Sequence, residues 1–360
     1  MIAPYANRHR VSIVALRDYP ERIDVRSPSE FALDHVPGAA NHPVLDDGER
    51  ARIGTMYAGS PFTARKLGAA LVARNIATML ETAFIDRPRE WRPLVYCWRG
   101  GQRSRSLVQV LNEIGWRAVQ LEGGYRAYRR HVVAELAIRP WRFDFVVICG
   151  LTGSGKSRLL GALRAAGAQV LDLEAIARHR GSLLGDLPDD AQPSQKWFES
   201  QLADALAGLD PARPVYVESE SRRIGSVQMP DALLARMRDG RVVSLESPLA
   251  QRVALLKEEY AHFLVAPGLL ADRLQRLTEL HGKAVTARWS AMASAGDWDA
   301  LIGELLAAHY DPIYARSLER NFPAARQALR VAAEDLSGAG LAALAGEVRA
   351  AIESGEAIAG

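Results

Sequence analysis

Short apolar runs alternate with helical patterns along the first 140 residues of the chain. Strands are predicted at 11–16, 22–25, 94–96 and 118–121. Between them, apolar residues recur at helical spacing over 64–85 and 104–114. Strands that alternate with helices in this way predict a parallel or mixed sheet covered by helices.

A second alternation of strands and helices follows a linker at 137–142. It opens with a strongly apolar run, and its strands are predicted at 143–149, 168–171, 214–217 and 241–245. From about residue 249 the pattern is helical, and the end of the chain is rich in alanine. We therefore predict two α/β domains, the second with a helical extension, and an Ala-rich tail, at 5–137, 141–325 and 326–360.

The composition narrows the class of protein. Apolar residues make up 48% and charged residues 24% of the chain, which is typical of a globular protein and excludes a disordered chain or a fibre. The longest runs without Asp, Glu, Lys or Arg hold 12 residues, whereas a membrane span needs about 18 apolar residues. Two cysteines cannot form a disulfide framework, so we expect a cytoplasmic protein with no membrane partner.

The formal net charge of +3 hides an uneven distribution. Residues 1–140 carry 21 basic and 14 acidic side chains, net +7, whereas residues 141–360 carry 24 and 28, net −4. Arginines and aromatic residues cluster in the first half, and the candidate nucleic-acid contacts there are Tyr125, Arg126, Arg129 and Arg130. Such clusters suit phosphate contacts and base stacking, although a solvated basic surface has the same composition.

The first chemical candidate is a cysteine in a loop rich in glycine and arginine. Cys97 follows one predicted strand and precedes a predicted helix, and the other loop candidates are Arg99, Gly100, Gly101 and Arg103. Glycines let backbone N–H groups converge on one point, and a helix N-terminus adds partial positive charge. The loop therefore favours a thiolate, or a charged persulfide or perselenide, at this cysteine.

Two other interpretations of Cys97 stay open. A lone intracellular cysteine is more often buried and inert. A phosphatase-type loop also places cysteine and arginine together, around a bound oxyanion. The glycine pair, the arginines and the position between strand and helix favour a reactive thiol over an inert one. The second cysteine, Cys149, ends an apolar strand and is predicted to serve packing.

The second chemical candidate is a phosphate-binding loop. Residues 150–157 read GLTGSGKS and match the pattern G-x-x-x-x-G-K-[ST] in full, between a strand pattern and a helix pattern. The candidate phosphate-binding residues are Gly150, Gly153, Gly155, Lys156 and Ser157. The glycines let backbone N–H groups surround phosphate oxygens, the lysine neutralises their charge, and the serine hydroxyl is a candidate ligand for Mg²⁺. The loop predicts a diphosphate or a triphosphate without distinguishing them.

Charged residues beyond this loop are candidates for a metal or phosphate shell. Glu218 ends a predicted strand at the position where nucleotide hydrolases usually place Asp. Asp172 follows another strand, where capping a helix is an equally good interpretation, and Glu174 has the alternative of a solvated carboxylate. Arg222 is a candidate phosphate clamp or a partner of neighbouring glutamates, and Arg180 is equally ambiguous.

Short segments that match no general functional motif lie in a fixed order around the two loops. Together with the loops themselves, at 96–101 and 150–157, they are 23–31, 37–41, 123–129, 171–174, 179–182, 192–195, 217–225 and 310–312. Over about residues 5–320 the chain resembles the tRNA 2-selenouridine synthase family, in which a rhodanese domain is fused to a P-loop domain. The resemblance implies a rhodanese-like α/β domain followed by a P-loop NTPase-like α/β domain with a helical C-terminal extension.

The resemblance also implies a reaction, in which selenium replaces sulfur in 2-thiouridine at the tRNA wobble position. The P-loop domain would transfer a geranyl group from geranyl diphosphate to the uridine sulfur, with Mg²⁺ assisting the departure of diphosphate. Cys97, charged with selenium from selenophosphate as an S-selanylcysteine, would deliver selenium to C2 and expel geranyl thiol. The base would stack on Trp98 or Tyr125. The implied partners are tRNA and, as a candidate supplier, a selenophosphate synthase.

Two other classes of function remain compatible with the residues. A P-loop kinase or ATPase attached to a sulfurtransferase predicts tight ATP binding and turnover, which the strand-end Glu218 in place of Asp disfavours. A non-catalytic binding or redox-sensing module predicts that Cys97 is merely oxidised. Such a module would carry no stable persulfide or perselenide.

Overall fold

The computed structural model describes residues 9–182, 184–188 and 190–354. Residues 5–8 of the predicted first domain and the end of the predicted tail lie outside the described residues. The chain divides into two compact units. Residues up to Leu136 form the first unit together with Ser194–Asp204, and the rest of the chain forms the second.

The first unit is built on a parallel five-stranded sheet. Its strands are β1 (Arg10–Val11), β2 (Arg22–Asp24), β3 (Ala39–Asn41), β4 (Leu94–Tyr96) and β5 (Val119–Leu121). They stand in the order β1-β5-β4-β2-β3. Its helices are α1 (Pro28–Leu33), α2 (Asp47–Gly59), α3 (Pro61–Thr82), α4 (Gln102–Ile114) and α5 (Gly124–Ile138). All three residues of β4 are buried, as expected of a parallel sheet covered on both faces.

The predicted strand at 11–16 is wrong beyond its first residue. Only Arg10 and Val11 pair with a neighbour, and Ile13–Asp18 forms a 3₁₀ helix with no buried residue. The neighbouring strand β5 has three residues, so it offers no backbone partner to a longer strand. Without that partner the apolar run stays at the surface, and Val14 is 85% exposed.

The second unit holds another parallel five-stranded sheet and a two-stranded hairpin. Its strands are β6 (Phe145–Cys149), β7 (Gln169–Leu171), β8 (Val215–Glu218), β9 (Arg223–Ile224), β10 (Val227–Gln228), β11 (Arg241–Glu246) and β12 (Leu329–Ala332). The sheet has the order β12-β11-β6-β8-β7, and β9 and β10 form the hairpin. The chain leaves β6 toward one side of the sheet and later returns on the other. A ligand crevice forms at the carboxyl ends of strands at such a reversal.

The remaining helices of the chain, with one exception, surround this sheet or form the predicted extension. They are α6 (Lys156–Ala165), α7 (Leu173–Ala177), α8 (Gln195–Ala207), α9 (Asp231–Arg238), α10 (Leu249–Glu259), α11 (Ala261–Val265), α12 (Pro267–Leu274), α13 (Thr278–His281), α14 (Lys283–Ala295), α15 (Trp298–Leu305), α16 (Asp311–Asn321) and α17 (Gly338–Ser354). The exception is α8, most of which belongs to the first unit. A π-helical turn, Leu306–Tyr310, joins α15 to α16. Within the described ranges, no helix has both the length and the apolar character that crossing a bilayer takes.

Residues 194–204 depart from the predicted domain boundaries, because they pack on the first unit. The ring of Trp197 stacks on that of His35 at 4.0 Å, and Glu199 forms an ion pair with Arg129. The hydroxyl of Ser194 donates to the carbonyl of Leu33. These contacts hold most of α8 on the first unit, although the rest of that unit ends at Leu136, more than fifty residues earlier in the chain. Domain boundaries that are drawn as continuous stretches of sequence cannot describe such an arrangement.

The predicted separate tail is an integral part of the second unit. Strand β12 pairs in parallel with β11, with Leu329 opposite Val243. Helix α17 buries the residues Leu341, Leu344, Ala345, Val348, Ala351 and Ile352. These positions recur at helical spacing, so the alanine-rich composition marks a narrow apolar face that packs closely on the sheet domain. Residues 355–360 lie outside the described part of the chain.

Candidate functional site

Cys97 lies at the carboxyl end of β4, immediately before the loop that leads into α4. The residue is 3% exposed. Its Sγ accepts hydrogen bonds from the backbone N–H of Gly101 at 3.3 Å and from the hydroxyl of Ser104 at 3.2 Å. Two donors directed at one sulfur stabilise negative charge on that atom. The arrangement suits a thiolate or a sulfur that bears a charged chalcogen.

The turn after β5 holds the cysteine loop in shape. The backbone N–H of Tyr125 donates to the carbonyl of Cys97 at 2.8 Å, and that of Arg126 to the carbonyl of Trp98 at 3.0 Å. Gly100 has φ +64°, and a Cβ there would lie 2.7 Å from the carbonyl oxygen of Leu121. The close approach of these two backbone segments therefore requires glycine in the loop.

The second glycine-rich loop lies between β6 and α6. Lys156 donates from Nζ to the carbonyls of Gly150 at 2.8 Å and Leu151 at 3.3 Å. The Ser157 hydroxyl lies within hydrogen-bond distance of one oxygen of Glu174 (2.9 Å) and one of Glu218 (3.1 Å). The lysine thus rests on the loop's own carbonyls, and the serine faces acidic residues at the carboxyl ends of the neighbouring strands.

Three carboxylates converge beside this serine. Glu174, Glu218 and Glu220 each place one ligand oxygen within 4.8 Å of the others. Glu218 is fully buried, and its Oε1 has no hydrogen-bond partner among the described residues. Burial, and then the neighbouring carboxylates, raise the pKa of Glu218 well above its ordinary value, and burial followed by Glu174 raises the pKa of Glu220 to about 8. A cation bound between these groups would relieve both effects.

Two adjoining cavities open on this loop. The first is polar, has an empty volume of about 1470 Å³ and is lined by Lys156, Ser157, Glu174, Arg180 and Tyr314 among others. The second has about 580 Å³ and is almost wholly apolar, with walls from α10 to α15. Both cavities share the wall residues Thr152, Ser182, Leu256, Tyr260 and Tyr310. The site therefore suits a ligand with a charged head and an apolar body.

Comparison with known proteins accounts for both loops. A rhodanese-like domain model matches residues 15–131, and the tRNA 2-selenouridine synthase AAA domain model matches residues 143–268. The tRNA 2-selenouridine synthase of Verminephrobacter eiseniae is 35% identical over an alignment of 336 positions, which covers 84% of this chain and 90% of that protein. This chain belongs to the tRNA 2-selenouridine synthase family. The predicted family and its two-domain α/β fold are confirmed.

Other members of the tRNA 2-selenouridine synthase family match a shorter stretch. The Nitrosomonas europaea protein is 38% identical over 260 residues, or 71% of this chain, and the Bdellovibrio bacteriovorus protein is 37% identical over 247 residues, or 66% of this chain. The chain spans 66% and 64% of the lengths of these two relatives, slightly less than two thirds in each case.

The predicted RNA contacts of the first unit fall into two groups. Trp98 is 36% exposed, and Arg126 and Arg130 are exposed, so they are accessible to a ligand. Tyr125 is buried under Trp98, with ring centroids 5.2 Å apart, and its hydroxyl donates to Asp34. A nucleobase cannot stack on a covered ring, so the prediction for Tyr125 is wrong.

The arginines of the same prediction also divide. Arg129 forms its ion pair with Glu199 of α8, so it serves packing rather than an open phosphate site. In the cysteine loop, Arg103 pairs with Glu30 at 2.9 Å, whereas Arg99 is exposed. A paired guanidinium contributes less net positive charge to the loop than the sequence suggests.

One of the three candidates for the metal or phosphate shell, Arg222, lies elsewhere. Asp172 lies close enough to the acidic cluster that, after burial, its charge helps to raise the pKa of Glu174 and of Glu218. Asp172 caps α7, accepting from the N–H of Ala175 at 3.0 Å, and pairs with Arg164. Arg222 pairs with Asp231 at 2.7 Å on the surface and does not line either cavity. Glu218 lies directly beside the P-loop serine.

Several residues that the sequence left ambiguous or did not single out shape the phosphate cavity. Arg180 lines it, and its Nη1 is buried without a hydrogen-bond partner among the described residues. Arg252 forms a two-point ion pair with Asp311 and donates from Nε to the carbonyl of Thr152, which ties the P-loop to α16. Tyr314 accepts from the N–H of Gly150 at 2.8 Å. Arg180 and Asp311 lie in the family segments 179–182 and 310–312, whereas no signal in the sequence marked Arg252 or Tyr314.

Proposed function

We propose that this chain is a tRNA 2-selenouridine synthase, which replaces the sulfur of 2-thiouridine at the tRNA wobble position by selenium. Relatives of that name align across both units. The observation that carries the proposal is the pair of loops in one chain. One directs two donors at the sulfur of Cys97, and the other opens on a polar cavity that adjoins an apolar one.

The first half-reaction is transfer of a geranyl group from geranyl diphosphate to the base. The sulfur of 2-thiouridine attacks C1 of the geranyl group, a C–S bond forms, the C–O bond breaks, and the N3 proton of the base passes to water. Lys156 and Arg180 line the cavity in which the departing diphosphate would lie. The apolar cavity between α10 and α15 supplies room for the ten-carbon chain.

The three carboxylates and Ser157 fit Mg²⁺. The unpartnered oxygen of Glu218 and the raised pKa values of Glu218 and Glu220 are those of a hard-cation site made of oxygen ligands. Glu174, Glu218, Glu220 and the Ser157 hydroxyl would hold the ion. When bound, the cation supplies positive charge against the departing diphosphate.

The second half-reaction loads selenium on Cys97. Selenide, freed when water breaks the P–Se bond of selenophosphate, opens a low-molecular-weight disulfide, so that an S–Se bond forms and one thiol leaves. The Cys97 thiolate attacks this selenium and displaces the other thiol, which gives S-selanylcysteine. The two donors at Sγ stabilise the attacking thiolate. A selenophosphate synthase is the natural supplier of the donor.

Delivery to the base then restores the cysteine. The terminal selenium of Cys97 attacks C2 of the S-geranylated uridine, a C–Se bond forms, and geranyl thiolate leaves. One low-molecular-weight thiol displaces the Cys97 thiolate from selenium, and a second removes the first as the disulfide, which frees 2-selenouridine. The disulfide consumed in loading is thereby regenerated, so the exchange of selenium for sulfur requires no net oxidant.

The tRNA would contact the exposed residues of the first unit. Trp98 offers an accessible indole beside Cys97, suitable for stacking a splayed base, and Arg126 and Arg130 offer free guanidinium groups to the backbone phosphates. The net charge of +7 on residues 1–140 has the sign that attracts a polyanion.

Reconstitution tests the proposal. The purified chain is incubated with 2-thiouridine tRNA, geranyl diphosphate, selenophosphate, Mg²⁺ and a thiol–disulfide buffer, and the nucleosides are identified by mass spectrometry. We expect 2-selenouridine from the wild-type chain and S-geranyl-2-thiouridine as the end product of Cys97→Ala. Cys149→Ala, which removes the other buried cysteine, is the matched control and should reach 2-selenouridine.

Two results would contradict the proposal. Complete selenation by Cys97→Ala would remove the cysteine from the reaction. Turnover of ATP that depends on Lys156, with no nucleoside product, would favour the P-loop ATPase attached to a sulfurtransferase instead.

A further inference from the structure

The hydroxyl group that faces Cys97 is itself held by a side chain from the neighbouring strand. Gln120 lies in β5 and is 3% exposed, and Ser104 lies in the first turn of α4 and is fully buried. The Gln120 Nε2 donates to the Ser104 Oγ at 2.7 Å and to the carbonyl of Gly101 at 2.9 Å. The contact between the two side chains is buried, whereas the Gly101 carbonyl belongs to an exposed residue of the loop before α4.

The direction of the Ser104 proton follows from these contacts. A serine hydroxyl donates one hydrogen, and two acceptors are in range: the Cys97 Sγ at 3.2 Å and the Gly101 carbonyl at 3.4 Å. The carbonyl already accepts from Gln120 at a shorter distance. Gln120 also donates into a lone pair of the same hydroxyl, which leaves its hydrogen free to point to the sulfur.

We propose that Ser104 and Gln120 are positioning residues that stabilise negative charge on the Cys97 sulfur. The chain of donors runs from Gln120 Nε2–H to Ser104 Oγ–H to Cys97 Sγ. It deepens the proposed function, on which its role in selenium transfer rests, by naming the side chains that prepare the thiolate. The N–H of Gly101 is the second donor to the sulfur and remains in place when either side chain is changed.

The rate of Cys97 alkylation as a function of pH tests this relay. Iodoacetamide reacts with the thiolate, so the midpoint of the pH–rate profile, measured by peptide mass spectrometry, reports the charge state of the sulfur. For Ser104→Ala we expect the midpoint to move up by about one pH unit, the effect of a lost hydrogen bond to a charged group. For Gln120→Met we expect a smaller upward shift, because the hydroxyl can then turn to the Gly101 carbonyl.

The double variant separates a relay from two independent effects. Because Gln120 acts through Ser104, the variant with both substitutions should shift the midpoint no further than Ser104→Ala alone. Ser106→Ala removes a hydroxyl from the same helix that bonds only to the Gln102 carbonyl, and it should leave the profile unchanged. Ser104→Thr keeps the hydroxyl and should restore the wild-type midpoint.

An unchanged midpoint in folded Ser104→Ala, or shifts that add in the double variant, would overturn the relay. Circular dichroism establishes folding. If Ser104→Ala does not fold, Gln120→Met decides alone, with an upward shift in support and no shift against. Alkylation requires neither selenium nor tRNA. The relay can therefore fail in a chain that makes 2-selenouridine, and it can hold in one that does not.

Discussion

The two glycine-rich loops occupy equivalent places in their sheets and differ in how far their polar groups are satisfied. Each follows a buried parallel strand and leads into a helix. Around Cys97 most charged groups have protein partners, with Arg26 on Asp24 and Arg103 on Glu30, although one oxygen of Asp34 has none within the described ranges. Around the P-loop, an oxygen of Glu218 and a nitrogen of Arg180 have none among the described residues.

This difference shows which loop depends more on a ligand. A loop built around its own sulfur can pair most of its charged neighbours within the fold. A loop that binds an anion and a cation keeps some of its charged side chains unpaired until those ligands bind. Unpaired buried charges cost free energy through desolvation and repulsion. The raised pKa values of Glu218 and Glu220 are the sign of that cost. Substitutions in one loop, with measurements at both, test whether the two loops act independently.

The largest effect is expected from Lys156→Ala. Loss of the charge opposite the departing diphosphate should lower the rate of geranyl transfer by about a thousandfold or more, measured as S-geranyl-2-thiouridine formed by the Cys97→Ala chain. The exposed Lys283 provides the matched control, because Lys283→Ala removes the same charge from the surface. Alkylation of Cys97 in otherwise wild-type protein should not change. A parallel fall in alkylation would show that the loops are not independent.

Arg180→Gln should have the next largest effect. Arg180 lines the phosphate cavity, and its Nη1 has no hydrogen-bond partner among the described residues. Its loss should therefore weaken inhibition of geranyl transfer by inorganic diphosphate about tenfold or more. Arg222→Gln is the control, since Arg222 pairs with Asp231 at the surface. Equal inhibition constants for wild type and Arg180→Gln would exclude this arginine from the anion site.

Trp98→Ala addresses the first loop. Loss of a stacking surface costs about 1–3 kcal/mol per base, so the KM for tRNA should rise about tenfold while Cys97 alkylation keeps its pH profile. Trp141, which is 52% exposed in the second unit, supplies the control Trp141→Ala. An unchanged KM would mean that the indole is only a cover for Tyr125.

The smallest effect concerns stability and pH. The pKa of Glu220, about 8 in the folded chain, lies above its ordinary value of 4.5. Between these values the unfolded chain releases the proton first, so stability should fall as pH rises from about 5 to 8 and stay low above. In EDTA we expect a melting temperature a few degrees lower at pH 8 than at pH 6.

Metal and substitution then sharpen this pH prediction. Mg²⁺ at pH 8 should restore the lost degrees, because a cation offsets the repulsion among the carboxylates. Glu220→Gln should flatten the pH dependence, whereas Glu347→Gln, on an exposed position of α17, should leave it intact. A melting temperature that changes with neither pH nor Mg²⁺ would argue against a cation at the three-carboxylate cluster.

Local sequence alone determined both loops, because each is continuous. A strand, a run of glycines and a helix start lie within about fifteen residues, so Cys97, Lys156 and Ser157 could be assigned before their surroundings were known. The helical spacing after residue 249 likewise predicted the extension. The alanine-rich composition led to the wrong prediction of a separate tail at the end of the chain, because it gives no sign that β12 pairs with β11.

Contacts between segments that are far apart in the chain were determined by the tertiary structure. Gln120 reaches Ser104 because β5 lies beside β4, and Glu220 reaches Glu174 because β8 lies beside β7. The order of strands in a parallel sheet follows from packing the whole domain, and no local pattern encodes it. The sequence therefore identified the residues that react, and the tertiary structure determined which other side chains contact them.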